Sequence, residues 1–155
     1  MKLNIEINLF LNYPLGGLPE EVNTIMKRQT DKIREYAFDS KEDGNREFRD
    51  KKYRRAIHAY NSGLEIPIND PLLTAQLLTN RAVAHFHLGN FRGSLNDCKE
   101  ALESKKDHFK ALKRGAMCLQ KLGKDEECVE WAQKALKVDG TDAEVIEILR
   151  IAKKE

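Results

Sequence analysis

Proline and glycine are scarce in this chain, with four prolines and nine glycines in 155 residues. Because both residues weaken helices, by about 1 kcal/mol for glycine and about 3 kcal/mol for proline, their scarcity favours helix through most of the chain. Glycine-rich phosphate loops are missing too, since Gly16-Gly17 is a lone pair with no lysine-serine pair after it. We therefore expect a mainly helical protein without a nucleotide site.

Long apolar runs and an excess of one charge sign are also lacking. Asn4, Glu6, Asn8 and Asn12 interrupt the N-terminal stretch, and no segment is long enough to span a bilayer. Lys and Arg total 27 against 25 Asp and Glu, so no strong overall field favours nucleic acid. We expect one small soluble domain that binds neither membrane nor nucleic acid.

Catalytic and metal-binding patterns are likewise missing. Cys98, Cys118 and Cys128 form an odd set without CxxC spacing, which indicates buried small residues in a reducing cytoplasmic or nuclear compartment. The four histidines form no HExxH motif and no recognisable pattern with a cysteine or serine. We predict no catalytic residue, no metal site and no cofactor.

The sequence does contain an internal repeat of 34 residues. The doublets Leu88-Gly89 and Leu122-Gly123 recur at that interval, and each closes one helical pattern before another opens. The interval between the first and second units is 38, and the extra residues fit best within 66–71. Three columns align across the units: Ala56, Ser94 and Cys128; Tyr60, Cys98 and Ala132; and Gly63, Ala101 and Ala135.

The pattern in each unit predicts two antiparallel helices. Neither helix can bury its apolar face alone, so we expect three stacked pairs to share one core, and the last pair to need a capping helix with one polar face. Pro19 before Glu20 predicts the start of a leader helix, and Thr141 or Asp142 can N-cap the last one. We therefore predict an all-α fold with four parts. They are an extended or disordered arm at 1–18, a leader helix at 19–36, three repeats over 37–138 and a capping helix at 139–155.

The 34-residue period, the paired helices and the small-aromatic-small columns resemble the tetratricopeptide repeat over about residues 37–138. Ser94 and Cys128 depart from the alanine that is usual in that family, but both are small enough for the same contact. The resemblance implies a right-handed superhelix whose first helices line a concave groove.

Polar donors recur on the first helix of each predicted pair. Lys41 and Asn45 lie one helical turn apart, and so do Lys110 and Arg114. Asn80 lies near the start of the middle inner helix. Such donors suit a ligand that carries carboxylates, because lysine and arginine form charge-assisted hydrogen bonds and asparagine adds neutral donors. The alternative is that all five are ordinary solvated side chains.

This set of donors resembles the two-carboxylate clamp of co-chaperones, which binds the C-terminal Glu-Glu-Val-Asp tail of heat shock protein 90 or 70. The resemblance assigns the main-chain carboxylate to Lys41, Asn45 and Asn80. It assigns the aspartate side chain to Lys110 and the peptide slightly upstream to Arg114. The implied protein is a monomeric, non-enzymatic peptide-binding module.

Two aromatic residues complete the implied site. Phe48 and Phe86 would form an apolar floor for the penultimate valine, although aromatic residues at helical spacing often belong to the core. Co-chaperones of this kind continue beyond their repeats, so we expect this chain to be a fragment or a short form.

Other interpretations stay open. Similar clamps are attached to enzymes, so the chain could be the targeting domain of a larger chaperone-bound enzyme, or a scaffold that self-associates through other surfaces. The basic run at 51–55 could contact nucleic acid, but we favour a solvated turn and helix start, because Tyr53 lies where the repeat packs its two helices and no stacking series accompanies it.

Overall fold

The computed structural model describes residues 19–154, so the arm predicted for 1–18 lies outside the described residues. Within that range the chain forms helices and no strand, which confirms the all-α prediction. The helices are α1 (Glu20–Arg49), α2 (Tyr53–Leu64), α3 (Pro71–His87), α4 (Phe91–Ser104), α5 (Phe109–Lys121), α6 (Asp125–Val138) and α7 (Ala143–Lys153). None of these helices combines the length and apolar character needed to cross a membrane.

The helices form three consecutive pairs followed by a capping helix, as predicted. Each helix packs against the next one in the chain, and α1, α3, α5 and α7 also contact one another in succession. The odd-numbered helices therefore form one layer, which carries every predicted donor. The linker 65–70 lies between α2 and α3, where the longer turn was predicted.

The aligned columns build the contact between the two helices of each pair, and all nine residues are buried. The two departures from alanine each add a hydrogen bond. Ser94 Oγ donates to the Ala82 carbonyl at 2.7 Å, and Cys128 Sγ donates to the Ala116 carbonyl at 3.3 Å. The three cysteines are buried as predicted, and burial raises the pKa of each thiol.

The turns inside the three pairs share one backbone conformation. Gly89 and Gly123 have φ of 74° and 69°, a left-handed region that glycine enters without steric cost. The equivalent position in the first pair holds Lys51, with φ of 60°. The first turn is therefore strained relative to the other two.

The prediction of a separate leader helix at 19–36 is wrong. Pro19 does precede the helix, but α1 continues without a break from Glu20 to Arg49. No proline or glycine lies between Glu20 and Gly44 to interrupt it. Packing also favours continuity, because Ala37 is fully buried beside α2.

The capping helix begins as predicted, and Asp142 rather than Thr141 is its N-cap. Asp142 accepts a hydrogen bond from the Val145 backbone N–H at 2.9 Å. It also pairs with Lys113 on α5, whose Nζ lies 2.9 Å from Asp142 and contacts Glu144 as well. The cap is therefore tied by charge as well as by apolar packing to the helix it covers.

Candidate functional site

Four of the five predicted donors line one cleft in the layer of odd-numbered helices. This donor cleft has a volume of about 460 Å³ and lies between α1, α3 and the start of α5. Its lining residues are Lys41, Asn45, Gln76, Asn80, His108, Phe109 and Lys110. The fold thus brings donors from three successive repeats to a single place.

Asn45 is the centre of a hydrogen-bond network in the donor cleft. Its Oδ1 accepts from Asn80 Nδ2 at 2.9 Å and from the Tyr60 hydroxyl at 2.9 Å. Burial and then the charge of Glu42 raise the pKa of Tyr60 to about 12, so the phenol stays a donor. Gly44 makes room for the Tyr60 ring, which a Cβ at that position would clash with. Because Oδ1 accepts both hydrogen bonds, the network fixes the position of the Asn45 amide nitrogen, which is the donor.

Lys41 is held in place from three directions. Its Nζ donates to Gln76 Oε1 at 3.2 Å and lies 4.2 Å from the centroid of the Phe38 ring. The same Nζ lies 3.7 Å from Glu42 Oε1, and the Lys41 side chain is only 12% exposed. This ammonium is therefore oriented before any ligand arrives.

The α5 side of the site is built differently. Lys110 is exposed and Arg114 is half-buried. In the part of the chain that the structure describes, neither cation pairs with a carboxylate, and the Arg114 guanidinium instead lies 4.8 Å from the Phe86 ring centroid. Arg114 is one turn beyond Lys110 and does not line the donor cleft.

The two aromatic residues that were assigned to the site lie outside the donor cleft. Phe48 packs against Tyr53 and His87, with ring centroids 5.2 and 5.3 Å away. Phe86 packs edge-on against Phe91 at 5.0 Å. The contact with a ligand valine stays a prediction for both, whereas Tyr53 does pack between the first two helices as expected.

Sequence reasoning missed three residues that line the donor cleft. Gln76 lies 34 residues before Lys110, which is the interval between the second and third units, so the repeat register could have found it. His108 precedes α5 and is buried, and this burial, followed by the charges of Lys105 and Lys110, lowers its pKa. The imidazole is therefore neutral at pH 7. Phe109 had no comparable signal.

A buried ion pair supports the helix that presents Asn80. Arg81 donates from Nε and Nη2 to the two oxygens of Asp97, at 3.0 and 2.6 Å, and from Nη1 to Asn61 at 2.8 Å. These contacts join α3 to α4 and to α2. A bidentate pair of this kind fixes the orientation of both side chains, so the backbone that positions Asn80 is held from two sides.

Comparison with known proteins adds the family. Residues 52–155 match the family model described as the coatomer epsilon subunit. The chain is 40% identical to tetratricopeptide repeat protein 4 of Bos taurus over 143 residues, which is 92% of this chain and 36% of that protein. The chain belongs to the tetratricopeptide-repeat family. Its identity to the human tetratricopeptide repeat protein 4 is 40% over 114 residues, which is 74% of this chain and 30% of the relative.

These matches differ in what they cover. The chain spans about a third of the length of these tetratricopeptide relatives. The family-model match places 52–155 in the coatomer epsilon subunit family as well, and it begins after Lys41 and Asn45. It therefore describes the helices that build the repeats and leaves out the α1 side of the donor cleft.

Solved tetratricopeptide domains have the same fold. The first such domain of Spaghetti (RPAP3), bound to the HSP90 peptide SRMEEVD, has a TM-score of 0.72 and 30% identity, over 77% of this chain and 92% of that one. The second domain of human RPAP3, in complex with the HSP70 peptide SGPTIEEVD, has a TM-score of 0.72 and 27% identity, over 79% and 99%. The Hsp90 co-chaperone Cns1 of Saccharomyces cerevisiae has a TM-score of 0.74 and 26% identity, over 79% and 39%.

Proposed function

We propose that this tetratricopeptide domain binds the acidic C-terminal tail of heat shock protein 90, or of heat shock protein 70, in an extended conformation. The observation that carries the proposal is the convergence of Lys41, Asn45, Asn80 and Lys110 on one cleft. Two structurally similar domains hold chaperone peptides that end in Glu-Glu-Val-Asp. That ligand offers two carboxylates on its last residue, which matches two groups of donors.

The main-chain carboxylate is assigned to the α1 and α3 side of the cleft. Lys41 supplies charge there, while Asn45 and Asn80 supply neutral N–H donors that add no repulsion between cations. Because Tyr60 holds the Asn45 carbonyl oxygen, the amide nitrogen of Asn45 is left to face an acceptor. This side recognises a chain end rather than a particular side chain.

The aspartate side chain is assigned to Lys110, and the backbone slightly upstream to Arg114. Both cations lack a carboxylate partner within residues 19–154, so binding breaks no ion pair of theirs. Phe86 lies beneath Arg114 and is the better placed of the two aromatic residues to contact the penultimate valine. Phe48 instead packs against Tyr53 and His87.

The domain would act by tethering and not by catalysis. Two clamped carboxylates and one apolar side chain are consistent with a Kd on the order of 1 μM, and such charge pairs weaken as salt screens them. We propose that the domain is a monomer in the cytoplasm or also the nucleus, without a cofactor, and that it tethers the protein to the chaperone.

The test is a fluorescence anisotropy titration with a labelled Met-Glu-Glu-Val-Asp peptide as the free acid and as the C-terminal amide. We expect the free acid to bind and the amide to lose about tenfold or more, because amidation removes the charge that Lys41 faces. Lys110→Ala should weaken binding to a similar degree. Lys106→Ala is the matched control, since Lys106 is exposed in the linker before α5 and does not line the cleft.

The opposite result would be a folded chain that ignores the free acid, or one that binds the amide equally well. The groove would then serve another ligand, and a scaffold that uses other surfaces becomes the better hypothesis. Sedimentation at several concentrations tests that alternative directly, because a self-associating scaffold increases in mass with concentration.

A further inference from the structure

An acidic side chain already occupies the donors that would take the ligand. Glu42 Oε1 accepts a hydrogen bond from Asn45 Nδ2 at 3.2 Å and lies 3.7 Å from Lys41 Nζ. One oxygen thus contacts two of the three donors that are assigned to the main-chain carboxylate. Its charge also reaches Tyr60, whose pKa it raises after the effect of burial. The Glu42 side chain is 49% exposed, so it can swing away into solvent.

The hydrogen bonds around Asn45 determine which of its side-chain atoms can face a carboxylate. Rotating the amide by 180° would present oxygen to Glu42 and would lose the hydrogen bonds from Tyr60 and Asn80 to Oδ1. The amide nitrogen is therefore the only edge of Asn45 on offer to a carboxylate. Two carboxylates close together also repel each other. A ligand carboxylate that takes the N–H of Asn45 and the side of Lys41 that Glu42 now contacts must therefore displace the Glu42 side chain.

We propose that Glu42 is a built-in competitor for the main-chain carboxylate of the ligand, and that displacing it costs every C-terminal peptide a similar amount of affinity. This inference rests on the proposed function. A peptide whose only carboxylate is the chain end replaces Glu42 with an equivalent group and gains little. A peptide that ends in aspartate gains the additional pair with Lys110, which has no carboxylate partner of its own in the described part of the chain.

The test compares Glu42→Ala with Asp43→Ala. Asp43 is the next residue of α1, is similarly exposed and does not line the cleft. Among residues 19–154 its ion pair is with Arg46 alone. Both variants remove one negative charge, so long-range effects on an acidic peptide are matched. We expect Glu42→Ala to lower the Kd for the free acid Met-Glu-Glu-Val-Asp by about three- to tenfold, and Asp43→Ala to change it by less than about twofold.

Selectivity is the second readout. A peptide that ends in Val-Asn keeps the main-chain carboxylate and lacks the second one. Glu42→Ala should tighten this peptide by about the same factor as the Val-Asp peptide, because both displace Glu42 with the same main-chain carboxylate, so the ratio of the two Kd values should stay constant. Glu42→Gln, which keeps an acceptor but not the charge, should fall between wild type and Glu42→Ala. Circular dichroism establishes that all variants remain helical.

The outcomes separate this inference from the function it rests on. If wild type binds the free acid and both alanine variants match it, the competitor is refuted while the clamp stands. If Glu42→Ala tightens both peptides by a similar factor and Asp43→Ala does not, the competitor is supported. If no variant binds the free acid, the clamp and the competitor both fall.

Discussion

The two sides of the donor cleft solve different problems. On the α1 and α3 side, Lys41, Asn45 and Asn80 are fixed by hydrogen bonds to other side chains. On the α5 side, Lys110 and, one turn beyond the cleft, Arg114 have no carboxylate partner among residues 19–154. The first side is preorganised, so a ligand loses less side-chain entropy there. The second side keeps its cations free of carboxylate partners in the described chain. The α1 and α3 side would therefore orient the ligand, and the α5 side would supply the charge that attracts it.

The largest expected effect comes from removing the Asn45 amide, which is the centre of the preorganised side. Asn45→Ala should weaken binding of the free acid peptide by about tenfold to a hundredfold, because it removes a donor and the group that orients Asn80. It should also lower the free energy of unfolding by about 1–3 kcal/mol, since the buried Tyr60 hydroxyl loses its acceptor. Peptide titration and urea denaturation measure the two effects.

Asn96→Ala is the control for Asn45→Ala. Asn96 is an exposed asparagine on α4 whose side-chain amide donates to Glu100 at 2.7 Å, so its loss should change neither quantity by much. An Asn45→Ala variant that binds weakly but unfolds like wild type would show that the network does not support the fold.

Arg114→Ala tests the α5 side, one turn beyond the donor cleft, and should affect binding more than stability. We expect a loss of about three- to tenfold in affinity, with less than about 1 kcal/mol lost from stability when the cation leaves the Phe86 ring. Raising salt from low to high concentration should narrow the gap between variant and wild type. A gap that persists in high salt would mean that Arg114 acts through shape and not charge.

Substitutions in the turns inside the helix pairs should change stability and leave both sides of the donor cleft intact. Lys51→Gly should raise the free energy of unfolding by about 0.5–1 kcal/mol, because φ of 60° suits glycine better than lysine. Gly89→Ala makes the reciprocal change at the equivalent turn and should cost a similar amount. The Kd for peptide should stay constant in both, and thermal unfolding reports the stability. Equal stabilities for Lys51→Gly and wild type would contradict the assigned strain.

The smallest expected effect concerns His108 at the base of the α5 wall. Burial lowers its pKa in the folded chain, so the unfolded chain binds more protons as the pH falls below about 6.5. The free energy of unfolding should therefore decrease between pH 7.5 and pH 5.5, by a few tenths of a kcal/mol from this residue. His108→Asn should reduce that decrease and leave the part due to His85, whose pKa is also lowered. An unchanged pH profile would contradict it.

Most of the fold was predictable because the repeat leaves a physical signature at fixed spacing. Small residues at Ala56, Ser94 and Cys128 must recur wherever two helices touch, and Gly89 and Gly123 must recur wherever the chain turns back. Helix continuity leaves no such signature. The junction near Ala37 reads equally well as a boundary or as an uninterrupted helix, and only packing against α2 decides it.

The site was predictable to the extent that it follows the repeat register. Lys41 and Asn45 lie one helical turn apart on α1, and Asn80 and Lys110 lie on the first helices of the next two units. The four could therefore be placed in one layer of helices before the structure was known. Glu42 does not stand out by type, because exposed acidic residues are common on helices. Its importance depends on the side-chain conformations of Asn45 and Tyr60, which the periodic pattern does not specify.

The uninterrupted α1 helix gives the molecule a mechanical element. Thirty residues at about 1.5 Å each make a strut of about 45 Å, of which the last part carries the donors. A partner held near Glu20 would be kept about 38 Å from Asn45, at a fixed angle around the helix axis. If the helix instead broke at residue 37, neither the distance nor the angle would be fixed. The α1 helix therefore sets a fixed distance between its N-terminal end and the donors.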